Sequence, residues 1–458
     1  MELLSASVLS DDEKSAINRL TGQVRRDEPK LTLLDRYFAG EQRLRHIGLM
    51  VPPELRDFVT IINVPGMAVT EPTIRQRIKA FYRAGDSTRP DQALAEAWEA
   101  NNLTSESTLL AQEKKVFGRS FITVGANEDD AEHPLIRVED PRQIGFTVDS
   151  RRRRMSEMVR YYRDDATKAT HATLHLPGTT VHVVRGRNGW EVTDRDDHGL
   201  GVVPAVLCLH RRRAGRWEGR SEMSDVIPLT DSIARMVTNM GVGAEAIALP
   251  SYAISGAAQA DFVDRDGKDI PVWESYLTSI KALTNDSAKV WQIQAGDLNN
   301  FTDAINNMLA WCAAMLGLPT RYAGQQSVNP AAEGAIRADE SRLVGRVEAM
   351  SRVDGDEWAW AMGLEERFRT GEWGQPNSIR TLWHDPATLT TSQTADAAVK
   401  MRQVGALSVE GMWDMLGWDE ARKAQERQRL DAEQATDPLV AASRELMTGS
   451  TGAAAGNG

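Results

Sequence analysis

The residues of this chain that could do chemistry are two arginine clusters, the aspartate pairs Asp129-Asp130 and Asp196-Asp197, 8 histidines and two cysteines, Cys208 and Cys312. Arg151, Arg152, Arg153 and Arg154 form an unbroken run after an Asp149-Ser150 turn. Arg211, Arg212 and Arg213 form a second cluster, with Arg216 and Arg220 close behind. Guanidinium groups at this density can contact phosphates. A solvated turn, or pairing with acidic groups of a neighbouring subunit, is the plainer reading. Asp129-Asp130 and Asp196-Asp197 could divide acid and base roles, but both lie in polar, turn-like stretches and read as solvated loops. Each cysteine sits in an apolar run, as a small buried hydrophobe does. Two isolated cysteines make neither a disulfide framework nor a zinc site.

Gly241-x-Gly243-x-x-Ala246 has the spacing of a dinucleotide fingerprint, whose mechanism needs a strand before it and a helix after it. Here it falls toward the end of a helical pattern, so the small residues read as room for helix packing. Gly118-Arg119-Ser120 and Gly219-Arg220-Ser221 begin like a nucleophile elbow and lack its second glycine. There is no Walker A motif, no His-Glu-x-x-His and no metal-ligand spacing among the histidines. The sequence therefore predicts no catalytic residue, no cofactor and no metal. A hydrolase built on the β-rich part would need a pocket gathering His171, His182 and Asp194, which nothing in their spacing demands.

The 458 residues suggest roughly two to four domains at about 150 residues each. Hydrophobic residues make up 41%, enough for real cores. Lys+Arg number 54 against 65 Asp+Glu, a net charge of −11. Affinity for nucleic acid comes largely from lysine and arginine releasing counterions. Any DNA role must then be local, or must require not sticking. The start, MELLSASVLSDDEK, lacks the basic and long apolar regions of a signal peptide. The longest apolar run, Met308 to Leu318, is too short to span a membrane. Together these predict a soluble protein made in a reducing compartment.

Hydrophobic periodicity supplies the elements that must position these groups. Ser10 and Glu13 have capping-box spacing and open a helix to about Arg26. A second helix covers Leu31 to Phe38. Others are expected over Glu71 to Tyr82, Pro90 to Asn101 and Ser105 to Phe117. Six β-rich runs follow: Ser120 to Val124, Ile144 to Val148, Met158 to Tyr162, Thr173 to Leu176, Thr180 to Val184 and Val202 to Leu209. Turn residues separate several of them, which predicts an antiparallel region between helical parts. Ser224 to Ile247 is helical again. Pro271 to Trp273 and Lys289 to Ile293 are strand-like. Ser378 to Trp383 reads as a strand, and Thr391 to Val404, Ser408 to Leu416 and Trp418 to Ala435 as helices. Trp98, Trp311, Trp358, Trp360 and Trp413 are expected mostly in cores, with a subunit interface as the other reading.

Leu298 to Phe368 organises the rest. Leu298, Phe301, Ile305, Met308, Leu309, Cys312, Met315 and Leu316 recur at helical spacing until Gly317 and Pro319 stop them. Thr320 to Asn329 is polar and reads as an exposed loop. Pro330 can open the next helix, which Ile336, Leu343, Val347, Met350 and Val353 carry on. By pattern alone this is an antiparallel helix pair. It also suits a spine that presents the loop.

Four stretches in fixed order carry a resemblance. They are Tyr37 to Leu49 (YFAGEQRLRHIGL) with Asn63 downstream; Trp98 to Val124, ending VFGRSFITV; Gly201 to Pro250, with GVVPAVLCLH, an arginine-rich turn, GRSEMSDVIPLTDSIARM and AEAIALP; and Leu298 to Val347, with LGLPTRYAG and NPAAEGAIRADESRLVGRVE. The chain resembles the portal (head-to-tail connector) proteins of tailed bacteriophages, of the siphophage type found in actinobacterial phages. A serine expected near Ala331 or Ala332 is missing, which bears on the local loop–helix cap.

The resemblance implies an α+β, mainly helical portal fold. Its parts would be a wing of helices and antiparallel β region (1–223), stem helices (224–250 and 298–317), a clip (251–297), a tunnel loop (318–330), a spine helix (331–369), a wing return (370–407), a helical crown (408–447) and a flexible tail (448–458). It implies a ring, usually of twelve subunits, at one capsid vertex of the virion, made in the host cytoplasm. Double-stranded DNA would be packaged and ejected through it without regard to sequence. Implied partners are the terminase large subunit, head–tail adaptor proteins, and the major capsid and scaffolding proteins, with no membrane. Arg321, Tyr322, Gln325, Gln326, Ser327 and Asn329 would face DNA. Asp264, Asp266, Lys268 and Trp273 would dock partners. Ile233, Met236, Met240, Phe301, Ile305 and Met308 would line the stem, whose apolar stripe should need neighbouring copies to bury it. The two arginine clusters would be basic contacts. The alternatives are another virion structural component, such as a minor capsid or connector protein, or the hydrolase considered above.

Overall fold

The computed structural model describes residues 8–43, 59–85, 90–130, 132–248, 252–256, 289–292, 297–324, 333–374, 378–387, 391–418 and 420–436. The chain forms two compact units, 1–386 and 387–458.

The first unit opens on helix α1 (Asp11–Ala39), started by the capping box: Ser10 Oγ accepts the Glu13 N–H, and Glu13 takes the Ser10 N–H at 2.8 Å. It is one helix, not the expected two. Pro29 lies inside it on the exposed side, while the buried stripe Ile17, Leu20, Val24 continues as Leu31, Leu34, Tyr37. Packing before and after the proline offsets the lost hydrogen bond. Asn63 caps α2 (Val64–Thr73), accepting from the Gly66 N–H at 2.8 Å. The helix expected over 71–82 is instead the end of α2 followed by strand β1 (Ile78–Arg83). β1 pairs antiparallel with a strand from far along the chain, Ile379–Trp383, a tertiary preference that local spacing cannot announce.

Helices α3 (Gln92–Ala100) and α4 (Leu103–Phe117) lead into two antiparallel sheets. In the first, β2 (Arg119–Gly125) lies between β3 (Leu135–Glu139) and Ala205–Leu209. The second has five strands in sequence order: β4 (Ile144–Asp149), β5 (Arg154–Arg163), β6 (Thr170–His175), β7 (Thr180–Gly186) and β8 (Gly189–Asp196). Ala205–Leu209 is β9. Helix α1 covers one face of the five-stranded sheet, packing Ile17 and Leu20 on Val159, Leu174, Val181 and Val183. A Cβ at Gly145 would sit 2.4 Å from the Leu20 carbonyl oxygen, so α1 approaches β4 this closely only over glycine. Asp196 ends β8 opposite Thr180 rather than lying in a turn.

Helix α5 (Ile227–Ala248) leads to an antiparallel ribbon of β10 (Tyr252–Ser255) and β11 (Lys289–Gln292), and α6 (Asn299–Leu316) returns. The two helices are antiparallel: Gly243 lies beside Leu298, and the Thr302 hydroxyl is 3.9 Å from the Met240 sulfur. A 3-10 turn (Thr320–Ala323) precedes α7 (Glu333–Thr370), a helix of 38 residues. Strand β12 (Ile379–Trp383) closes the unit. The second unit holds α8 (Thr391–Gln403), α9 (Val409–Met415) and α10 (Glu420–Thr436). The described fold is α+β, and no helix in it is long and apolar enough to cross a membrane.

Candidate functional site

The junction from α6 into α7 is built on one backbone reversal. Gly317 adopts φ +64° and its N–H closes on the Ala313 and Ala314 carbonyls. A side chain there would lie 3.2 Å from Arg346 Cδ, so glycine both permits the turn and seats the helix end against α7. In the 3-10 turn that follows, the Tyr322 hydroxyl accepts from Arg75 Nη2 at 2.9 Å and donates to Glu340 Oε1 at 3.1 Å. Arg321 pairs with the same carboxylate and, at 3.3 Å, with Asp339. Glu340 is only 4% exposed. A buried carboxylate of this kind is tolerated because two guanidinium groups and a phenol surround it. Arg321, which the resemblance would set facing DNA, thus has its charge matched by Glu340 and Asp339 at the foot of the loop. Gln325, Gln326, Ser327 and Asn329 lie outside the described residues, as do Ala331, Ala332 and the residues Asp264, Asp266, Lys268 and Trp273.

The stripe on α5 and α6 closes mostly on itself. Ile233 and Ile305 are buried in one cluster with Cys312, Leu316, Leu343 and Val347, and Met236, Met240 and Met308 are half-buried against it. Phe301 is half-buried. Two helices and α7 bury Ile233, Ile305, Cys312 and Leu316 of this stripe within one chain, and leave the rest of it half-buried or exposed. What faces outward from α6 is Trp311, 57% exposed, and Met315, 52%. Trp311 is thus not a core residue, whereas Trp358 and Trp413 are. Gly243 packs beside Leu298, but Gly241 has open space, so only one of the pair serves helix packing.

Where α4 crosses α7 lies a buried ion cluster that sequence reading missed. Lys114 Nζ reaches Asp354 at 2.6 Å and Glu357 at 2.5 Å. Gln76 donates to the second Asp354 oxygen at 2.9 Å and accepts from Lys115. Burial works against Lys114, but Glu357 and Asp354 outweigh it and keep the ammonium charged. Burial also works against Asp354, yet the two lysines hold its carboxyl low. Glu357, left with burial and the Asp354 charge against it, is pushed up to about 7. Burial brings Lys115 down to about 8. Nearer the start of α7, Arg346 pairs with Glu222, which meets His210 at 2.7 Å. Nearby Cys208 is inert, burial raising its thiol well above the ordinary value. The only signal in the sequence was carboxylates at i, i+3 just ahead of the apolar run from Trp358 to Leu364 and two lysines ahead of Val116-Phe117.

The two arginine clusters, far apart in sequence, meet. Arg153, Arg154 and Arg212 line one cavity with Trp217 and Trp360. Arg152 lies 3.9 Å from Asp149, and Arg211 pairs with Asp225 at 2.7 Å. Arg151 and Arg213 are exposed.

His182 and Asp194 also come together, as cross-strand partners beside His175, Glu139 and Asp196 in a cavity of about 170 Å³. His171 does not line it and stacks on Tyr162 at 5.3 Å. Burial holds His175 down at about 3 and lowers His182. Among the described residues no serine or cysteine lines the cavity. His182 Nδ1 faces the Thr173 hydroxyl at 3.1 Å, and among the described residues no hydrogen bond from Asp194 orients that ring. This is a set of neutral histidines between strands, without the oriented base that a hydrolase requires.

A helix pair tipped by a ribbon, a buttressed polar turn and a long helix dominate the described residues. The chain belongs to the phage portal protein family, SPP1 Gp6-like, whose pattern matches residues 20–438. It is 32% identical over 427 residues to the portal protein of Mycobacterium phage L5, covering 88% of each chain. It is 32% identical over 411 residues to the portal protein of Mycobacterium phage D29, covering 87% of this chain and 84% of that one. A chain in the solved neck of an empty GTA particle, computed with C6 symmetry, matches 86% of this chain and 94% of its own at 11% identity, with a TM-score of 0.48. The family read from the four stretches is borne out.

Proposed function

We propose that copies of this chain close into a ring of twelve at one capsid vertex and form the channel through which double-stranded DNA is packaged and ejected. Residues 1–223 and 370–407 make the wing, and α5 and α6 the stem. Residues 251–297 make the clip that docks terminase and then adaptor proteins, and α7 is the spine. Residues 408–447 make the crown. The observation that carries this reading is the α6–α7 junction: a stem helix and a spine helix joined by a polar segment whose foot is locked by Tyr322, Arg75 and Glu340. A locked foot lets a loop bear on a moving duplex without being dragged. The DNA-facing role then falls to Gln325, Gln326, Ser327 and Asn329, neutral groups that slide along phosphates rather than grip them, in keeping with the −11 charge.

Deleting residues 325–328 tests the channel role. Rings should assemble normally while DNA-filled heads disappear from infected cells. Heads that fill as in wild type would contradict it.

A further inference from the structure

The turn at 149–153 and the loop at 211–217 are tied together where Trp217 Nε1 donates to Ser150 Oγ at 3.3 Å. Between them and α7 lies a cavity of about 420 Å³ with Met155 and Leu207 among its walls and Val353, half exposed on α7, also lining it. Two of its guanidinium groups are laid on indole faces: Arg154 is 3.9 Å from the Trp360 ring centre, and Arg212 is 3.8 Å from that of Trp217. Stacking fixes the plane of each group and leaves N–H edges available for the paired oxygens of a carboxylate. Arg153, Arg154 and Arg212 have no carboxylate partner among the described residues, whereas Arg211 and Arg220 share Asp225.

Apolar walls and the carboxylates of Asp356 and, paired with Lys114, Glu357 beside them suit a peptide better than a phosphodiester backbone. In a chain of net charge −11 the matching acid is present on every copy. Val8 is 85% exposed, more than any other large hydrophobic residue among those described, and stands just ahead of exposed Asp11 and Asp12. The capping box fixes where that segment leaves α1. One aliphatic side chain followed by two carboxylates complements an apolar cleft edged by guanidinium groups. We infer that the arginine–tryptophan cleft seats the N-terminal segment of a neighbouring copy, with Val8 against its apolar wall and Asp11 and Asp12 on Arg153, Arg154 and Arg212. The inference rests on the ring reading for the neighbour's presence.

The test uses full-length protein carrying Asp11→Arg and Asp12→Arg, whose own segment can no longer fill the cleft, and a fluorescein-labelled peptide of residues 1–14 with the natural sequence. The peptide should bind. Adding Arg153→Asp, Arg154→Asp and Arg212→Asp should weaken binding on the order of tenfold or more. By native mass spectrometry each charge reversal alone should reduce ring assembly, and the two together should restore it. Rings equal to wild type in both single reversals, or no peptide binding, would overturn the inference. So would a short DNA duplex that binds the same cleft in preference to the peptide and is lost with the arginines. Peptide binding by a protein that never forms rings would uphold the cleft and count against the ring instead.

Discussion

Tyr322 donates its hydroxyl hydrogen to Glu340 at 3.1 Å while accepting one from Arg75 at 2.9 Å, so the turn after α6 is fixed to α7 at a buried carboxylate. Tyr322→Phe deletes both hydrogen bonds and leaves a buried carboxylate short of a donor, a loss of about 1–3 kcal/mol. Limited trypsin cleavage after Arg321 should rise several-fold, and the yield of DNA-filled heads should fall while rings still form. Wild-type cleavage rates in the variant would mean the contact does not hold the loop.

Lys114 is the shared cation of Asp354 and Glu357. Lys114→Met leaves two buried carboxylates without their main counter-charge and should cost about 3–5 kcal/mol in urea unfolding. Adding Asp354→Asn and Glu357→Gln should recover part of that loss. A cost below about 1 kcal/mol for Lys114→Met would show that the cluster is hydrated rather than dry.

The same cluster sets a pH signature. Burial raises Glu357 from 4.5 to about 7, so the folded state favours its protonated form. That contribution is fully present below about pH 4.5 and is lost as pH rises through about 7, because the unfolded chain ionises first. The stability of wild type minus that of Glu357→Gln should therefore decline across this window. Comparing the pair cancels Glu113, also pushed up to about 7, and the buried histidines, which act in the opposite sense. A flat difference would refute the assignment.

Ile305 is 7% exposed and Trp311 57%, on one helix. Ile305→Ala opens the α5–α6 seam and should cost about 2–5 kcal/mol of protomer stability. Trp311→Ala should change dissociated protomers by no more than about 0.5 kcal/mol yet lower the fraction assembled into rings, since a surface tryptophan is a natural interface anchor. Equal effects on protomer stability would remove the distinction between seam and interface.

Helices α5, α6 and α7 were legible because their apolar residues repeat at helical spacing, and α1 announced itself through Ser10 and Glu13. Strand β8 was not, since in GWEVTDRD only Trp190 and Val192 alternate as apolar residues and the rest of the strand is glycine and polar residues. Strand β1 was hidden because its partner lies far along the chain. The fold class and the family could be read from sequence. The contacts of Tyr322 and Arg321 could not: each depends on Arg75 or Glu340, which only the folded chain brings near. Charged residues carry no sequence mark that separates a solvated lysine from Lys114, 2% exposed.

Electron microscopy of the purified full-length protein tests the central claim most directly. The account predicts closed rings with twelve-fold symmetry and a central channel. A monomer that stays monomeric at high concentration and under all assembly conditions would contradict it.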